Sequence, residues 1–169
     1  MSLRAPRAGD QFYVEKAQEK RYDEEEKLGL PRRIVEWIVR VLGGQIQPPP
    51  ALDARSLQAY LKDGVILCKL INALLKAANM PVVPFRKKAG QAFVALSNLD
   101  SFLGAARAFG VSDVALFQPS DLYEGRKGQL LQALNCLDAL GRLANMKGFR
   151  PEYEEAVPPK ADWCKDDDE

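Results

Sequence analysis

Catalysis needs nucleophiles, acids, bases or metal ligands at defined spacings, and this sequence offers few of them. It contains no histidine, so Ser-His-Asp and Cys-His nucleophile pairs, histidine-bearing zinc sites and an imidazole acid/base are all excluded. Its cysteines, Cys68, Cys136 and Cys164, form no CxxC pair. Cys68 and Cys136 lie among apolar residues, where a thiol behaves as a small hydrophobe. Cys164 sits in a polar tail and is expected to be an exposed thiol. Unpaired thiols without an apolar amino-terminal signal region fit a reducing, cytoplasmic setting. Carboxylates such as Asp100 and Asp113 have no recognisable partner set, and the sequence has neither a Walker loop nor a dinucleotide fingerprint. No enzymatic activity, cofactor or metal site is expected.

One motif has the form of a nucleic-acid clamp. Gly125-Arg126-Lys127-Gly128 is a GxxG loop, which in some RNA-binding domains grips a backbone between two helices of a sheet-backed unit. No segment here shows sustained strand alternation, so the motif reads as a glycine-rich helix junction. The overall charge balance agrees. With 24 basic and 23 acidic residues, net +1, the chain is not built to coat nucleic acid or an anionic membrane, and neither partner is expected. Binding by charge must come from local clusters. Arg86-Lys87-Lys88 is the sharpest, because three adjacent like charges repel. Lys69 and Lys76 lie on the apolar central helix, and Lys16, Lys20 and Arg21 stand near the start.

The elements that position these groups read as helices. Leu61 to Asn72, LKDGVILCKLIN, is apolar on almost every side, which marks a buried rather than a surface helix. At about a dozen residues it spans roughly 18 Å at ~1.5 Å per residue, too short for a bilayer, which needs ~20 residues. Asp63 is placed to cap this helix, opening at Gly64. Ahead of it, Pro31 suits the first turn of a helix carrying Ile34, Val35, Trp37, Ile38, Val41 and Leu42, ended by Gly43-Gly44. Pro48 to Pro50 stiffen a connector, and Ser56 to Lys62 forms a short helix. Phe93, Leu96, Leu99, Phe102, Leu103, Ala106 and Phe109 recur at three and four residues over 91–109, and Gly110 stops that helix. After a turn-rich stretch bearing Phe117, Leu122 and Tyr123, a last helix over 127–145 aligns Leu130, Leu134, Leu137 and Leu140. Residues 12–27 are dominated by charge, and a solvated arm is favoured there over a helix with paired charges. Beyond Met146 the composition turns to proline and acid. The expected fold is all-α, a compact bundle of four main helices joined by shorter ones. Its expected divisions are an arm (1–21), the domain (22–146) and a proline-rich acidic tail (147–169).

Several stretches in this order resemble the calponin homology (CH) domain, and within it the transgelin- and calponin-like branch: YDEE at 22–25, IVEWI at 34–38, LKDGVILCKLIN at 61–72, FLGAARAFGV at 102–111 and LFQPSDLYEG at 116–125. The resemblance implies that Trp37, Asp63, Gly64, Leu67, Leu70 and Asn72 are a structural signature rather than contacts. It also implies a cytoskeletal interaction module that binds or bundles actin filaments. The filament surface is acidic, so the candidate contacts are Arg86, Lys87, Lys88, Lys69, Lys76, Lys16, Lys20 and Arg21, beside some exposed apolar area. The alternative within the same family is an adaptor for a signalling or microtubule-associated protein that does not bind actin by itself. The branch implies a short filament-binding repeat after the domain. Pro159-Lys160-Ala161-Asp162 resembles the linker to such a repeat, but the sequence then runs into Asp166-Asp167-Asp168-Glu169. The chain is therefore expected to be a fragment or a member without that second site, a monomer that binds weakly.

Overall fold

A computed structural model of the chain describes residues 8–156; the expectation for Cys164 and the linker-like Pro159 to Asp162 lie outside them. Seven α-helices and two short 3-10 turns make up the regular structure, with no strand among the described residues. The helices are α1 (Ala8–Lys27), α2 (Leu30–Leu42), α3 (Ala54–Leu61), α4 (Val65–Ala77), α5 (Ala92–Phe109), α6 (Pro119–Tyr123) and α7 (Lys127–Met146). The 3-10 turns are Gly43–Gln45 and Asp113–Ala115. The all-α bundle is as expected, with α1 as a further long helix.

Each long helix is delimited by local chemistry. Gly29 turns the chain with φ 83 before Pro31 enters the first turn of α2, and Gly43 at φ 56 ends that helix. Asp53, not noticed in the sequence, caps α3 by accepting the Ser56 amide at 3.2 Å. At α4 the capping expectation needs correction. Gly64, at φ 73, occupies the cap position, and Asp63 stands one residue ahead of it. The Asp63 carboxylate still takes the Val65 N–H at 3.0 Å, satisfying one of the amides a helix start leaves without partners. Gly110, at φ 126, closes α5.

The core lies where α4 packs on α5 and α2, and where α7 packs on α1, α2 and α6. Trp37, Ile38, Leu57, Leu61, Leu67, Leu70, Ile71 and Phe102 are all fully buried. Cys68 and Cys136 are buried as well, and burial pushes each thiol up to about 12, so both stay protonated at neutral pH. Phe93 departs from the expected stripe and is 65% exposed. The inward face of α5 begins one residue later, at Val94 and Ala95, and includes the polar Asn98.

Residues 12–27 do not form a solvated arm. They belong to α1, which lies on α7 and α2, buries Tyr22, and forms ion pairs from Glu15 to Arg126 at 2.7 Å and from Asp23 to Lys127 at 3.1 Å. At the other end the described chain returns to the bundle after Met146. Tyr153 is 2% exposed, its ring against Trp37 with centroids 5.5 Å apart.

Candidate functional site

The Gly125–Gly128 motif joins α6 to α7, as expected of a helix junction. A side chain at Gly125 would lie 1.7 Å from the Asp121 carbonyl, and one at Gly128 would strike Gln18 of α1. Both glycines are accounted for by close packing.

The titratable groups drawn together in the interior make a structural network. Tyr153 donates its hydroxyl to Asp138 Oδ1 at 2.5 Å, and Arg33, 4% exposed, places Nη1 3.8 Å from the same oxygen. Arg142 donates to Asp138 Oδ2 at 2.9 Å. Burial first, and then its bond to Asp138, push the Tyr153 hydroxyl well above its usual range. Asn145 grips the Tyr153 backbone through its own amide, accepting at 2.8 Å and donating at 2.7 Å. Trp37 Nε1 donates to the Pro151 carbonyl at 3.0 Å. Apart from the exposed Arg142 contact, these bonds are buried or partly buried, and they hold the segment after α7. Polar neighbours disguise this role in the sequence; an aromatic residue isolated among acids was the available signal. Among the described residues no group of three or more Cys, Asp and Glu could hold a metal ion, and no helix is long and apolar enough to cross a membrane.

The signature residues divide by environment. Trp37, Leu67 and Leu70 are fully buried, Gly64 is buried and Asp63 is half-buried. Asn72 faces the loop that follows α4, and this loop carries three of the eight candidate basic residues, Arg86, Lys87 and Lys88.

The structure separates those eight residues. Lys69 and Lys76 on α4 and Lys87 on the loop line one surface cleft of about 400 Å³, together with Leu42, Gln45, Asn72, Ala73, Val82 and Phe85. Val82 is 55% exposed and Phe85 half-buried, so the cleft has an apolar wall beside its lysines. None of the lining residues is acidic, and none of the three lysines is in an ion pair among the described residues. Arg86 and Lys88 are exposed on the same loop but do not line the cleft.

Lys16, Lys20 and Arg21 are exposed on α1, away from this cleft. Arg21 lines a different depression, which also contains Glu24 and Glu25. Lys16 lies over the Phe12 ring, 4.6 Å from its centroid. The cationic character of this second group is offset by carboxylates on its own helix. On α1, too, unpaired cations stand beside exposed apolar side chains, Phe12, Tyr13 and Val14, but the cleft beside α4 combines the two on a lining without a carboxylate.

Comparison with known proteins adds a family and a fold. The model of the calponin homology (CH) domain family matches residues 30–145. The calponin-homology domain of an IQGAP protein from Schizosaccharomyces pombe superposes with TM-score 0.60 at 22% identity, covering 79% of this chain and 77% of that one. The calponin-homology domain of Rng2 from Schizosaccharomyces pombe gives 0.61 at 21%, covering 80% and 79%. At such identities the likeness establishes the shared fold, not the branch of the family.

Proposed function

The chain belongs to the calponin homology domain family, a family of cytoskeletal interaction modules, and on that premise we propose that it binds actin filaments through the cleft framed by Lys69, Lys76 and Lys87. The observation that carries this reading is the coincidence of three unpaired lysines with the exposed Val82 and the half-buried Phe85. An acidic filament would be attracted by the lysines, and apolar contact would supply the part of the affinity that salt does not screen. The motifs around LKDGVILCKLIN, LFQPSDLYEG among them, favour the transgelin-like branch, and with it binding or bundling by a single domain. The working unit of this proposal is residues 22–146 with the two flanks that pack on them.

Exposed charges are screened over ~8 Å at physiological ionic strength, so pelleting with filaments should fall as salt rises. The test is co-sedimentation of the wild type, a Lys69→Glu/Lys76→Glu/Lys87→Glu variant and a Lys16→Glu/Lys20→Glu/Arg21→Glu variant, at low and physiological salt. Circular dichroism verifies that each is folded. The cleft variant should lose pelleting and the α1 variant should keep most of it. The reverse pattern would move the site to α1. Absence of wild-type pelleting at low salt would favour the signalling or microtubule-associated adaptor.

A further inference from the structure

Residues 80–90, between α4 and α5, have no regular secondary structure, yet they carry Val82, Phe85 and the basic run Arg86-Lys87-Lys88. Pro81 and Pro84 lack amide donors, so the loop has few means of holding itself by backbone bonds. Met80, Val83 and Phe85 pack partly on the core, which sets how deep the loop sits without fixing its register. Three neighbouring cations, if free, would spread the loop over many conformations.

Two asparagines from the flanking helices hold it instead. Asn72 of α4 accepts the Val83 N–H at 2.8 Å and donates to the Val83 carbonyl at 2.9 Å. Asn98 of α5 repeats the pattern on Arg86, accepting its N–H at 3.0 Å and donating to its carbonyl at 2.8 Å. Each side-chain amide thus pairs with one loop residue much as a neighbouring strand would. Asn98 goes further, since its Nδ2 also donates to the Asp63 carbonyl at 3.0 Å. It is 3% exposed, and a buried amide is tolerated because it is satisfied on both sides. The approach is so close that a side chain at Gly64 would lie 2.8 Å from Asn98 Cβ and 3.0 Å from the Leu99 nitrogen. The glycine of the LKDG stretch therefore serves the loop as well as the turn into α4.

We infer that Asn98, with Asn72, is a positioning residue that presents the basic loop in one conformation, so that Lys87, Phe85 and Val82 meet a partner together with Lys69 and Lys76. The inference rests on the filament-binding reading for its partner, but the holding of the loop stands apart from it. A loop fixed before binding has less conformational freedom to lose on contact, which raises affinity without adding a contact. Asn98 is buried and would act wholly through the loop.

The test uses Asn98→Ala, Asn72→Ala and Gly64→Ala in the full chain, with two readouts. Hydrogen exchange in the free protein should quicken roughly five- to tenfold at the Val83 amide in Asn72→Ala and at the Arg86 amide in Asn98→Ala, the scale of one lost hydrogen bond. Exchange in the middle of α4 and α5 should keep its wild-type rate. Gly64→Ala should show the Arg86 pattern, because a side chain there displaces Asn98. Filament co-sedimentation at low salt should fall several-fold in Asn98→Ala although every basic residue remains. Loop amides exchanging at the wild-type rate, or acceleration spread evenly through the core, would overturn the positioning role. Unchanged pelleting with a loosened loop would overturn its contribution to binding. If Asn98→Ala fails to fold, Asn72→Ala, at a half-buried position, decides the exchange readout. If the wild type does not pellet, the filament reading fails, and exchange alone decides whether the asparagines hold the loop.

Discussion

The two flanks of the family-matched region, residues 30–145, are attached to it in opposite ways. The leading flank is α1, a helix of 20 residues. From Gln11 onward it buries only Tyr22, and around that residue it lies on α2 and α7 through ion pairs to Arg126 and Lys127 and the fit of Gln18 against Gly128. The trailing flank, residues 147–156, forms no helix, yet Tyr153 sits in the core with its ring on Trp37 and Gly141 and its hydroxyl on Asp138. Length therefore says little about attachment. Exposed ion pairs contribute ~0–1 kcal/mol each, whereas a buried ring with satisfied polar groups contributes several times that. The two tyrosines make the contrast in one residue type: the buried Tyr22 hydroxyl has no hydrogen-bond partner among the described residues, and the Tyr153 hydroxyl has one.

The widest separation between the flanks should come from removing the trailing anchor. Tyr153→Ala is expected to destabilise by roughly 3–5 kcal/mol, as for other large aromatic residues deleted from cores, while charge-reversing both ion pairs of α1 should cost no more than ~2 kcal/mol. Denaturant melts of the two variants measure the difference. Equal midpoints would mean that the segment after α7 contributes no more than the α1 charges do.

A sharper comparison uses two glycines of the same helix. A side chain at Gly141 would lie 2.5 Å from the Tyr153 ring, and one at Gly128 would lie 2.5 Å from Gln18 Cβ. The ring is wedged in the core, so Gly141→Ala should cost about 1–3 kcal/mol by overpacking. At Gly128 the lightly held α1 can shift, and the better helix propensity of alanine returns up to ~1 kcal/mol, leaving stability close to wild type. Melts check both, and a large loss at Gly128 would show α1 to be fixed more firmly than its ion pairs suggest.

The subtlest difference is a single oxygen. Tyr153→Phe removes the hydrogen bond to Asp138 Oδ1 and a contact of the buried Arg33, at a cost of about 1–3 kcal/mol. Tyr22→Phe removes a buried hydroxyl that satisfies nothing, and should leave the midpoint unchanged or raise it. If the two variants shift in the same direction, the Tyr153 bonds hold the segment no better than packing alone.

Much of the fold is legible in the sequence. The apolar stripes of α2, α4, α5 and α7 repeat at the helical period, and Gly43 and Gly110 stop two of them, so α2, α5 and α7 lie within a residue or two of their expected places, while α4 runs on past Asn72 to Ala77. Misreadings occurred where a stripe met a boundary. Phe93 precedes the inward face of α5 by one residue and is exposed, and Asp63 precedes the cap position of α4. Residues 12–27 read as solvated because charged side chains dominate and the apolar Phe12, Tyr13, Val14, Ala17 and Tyr22 form no continuous stripe; of these only Tyr22 is buried. The site was legible as a list of cations but not as a surface, since nothing in the spacing of Lys16, Lys69 and Lys87 says which of them share a face.

Local order is a property of neighbours three and four residues apart, so the sequence by itself determined the four apolar-striped helices, the buried cysteines and, through its motifs, the family. Tertiary structure decided what depends on groups far apart in the chain. Arg33, Asp138 and Tyr153 form one network only because α2 and α7 pack side by side and the chain returns over them. Lys69, Lys76 and Lys87 share a cleft because the loop after α4 folds back on that helix. It stays there through Asn72 and Asn98, the one half-buried and the other buried, because an amide withdrawn from water must find partners and the nearest are the backbone groups of Val83, Arg86 and Asp63.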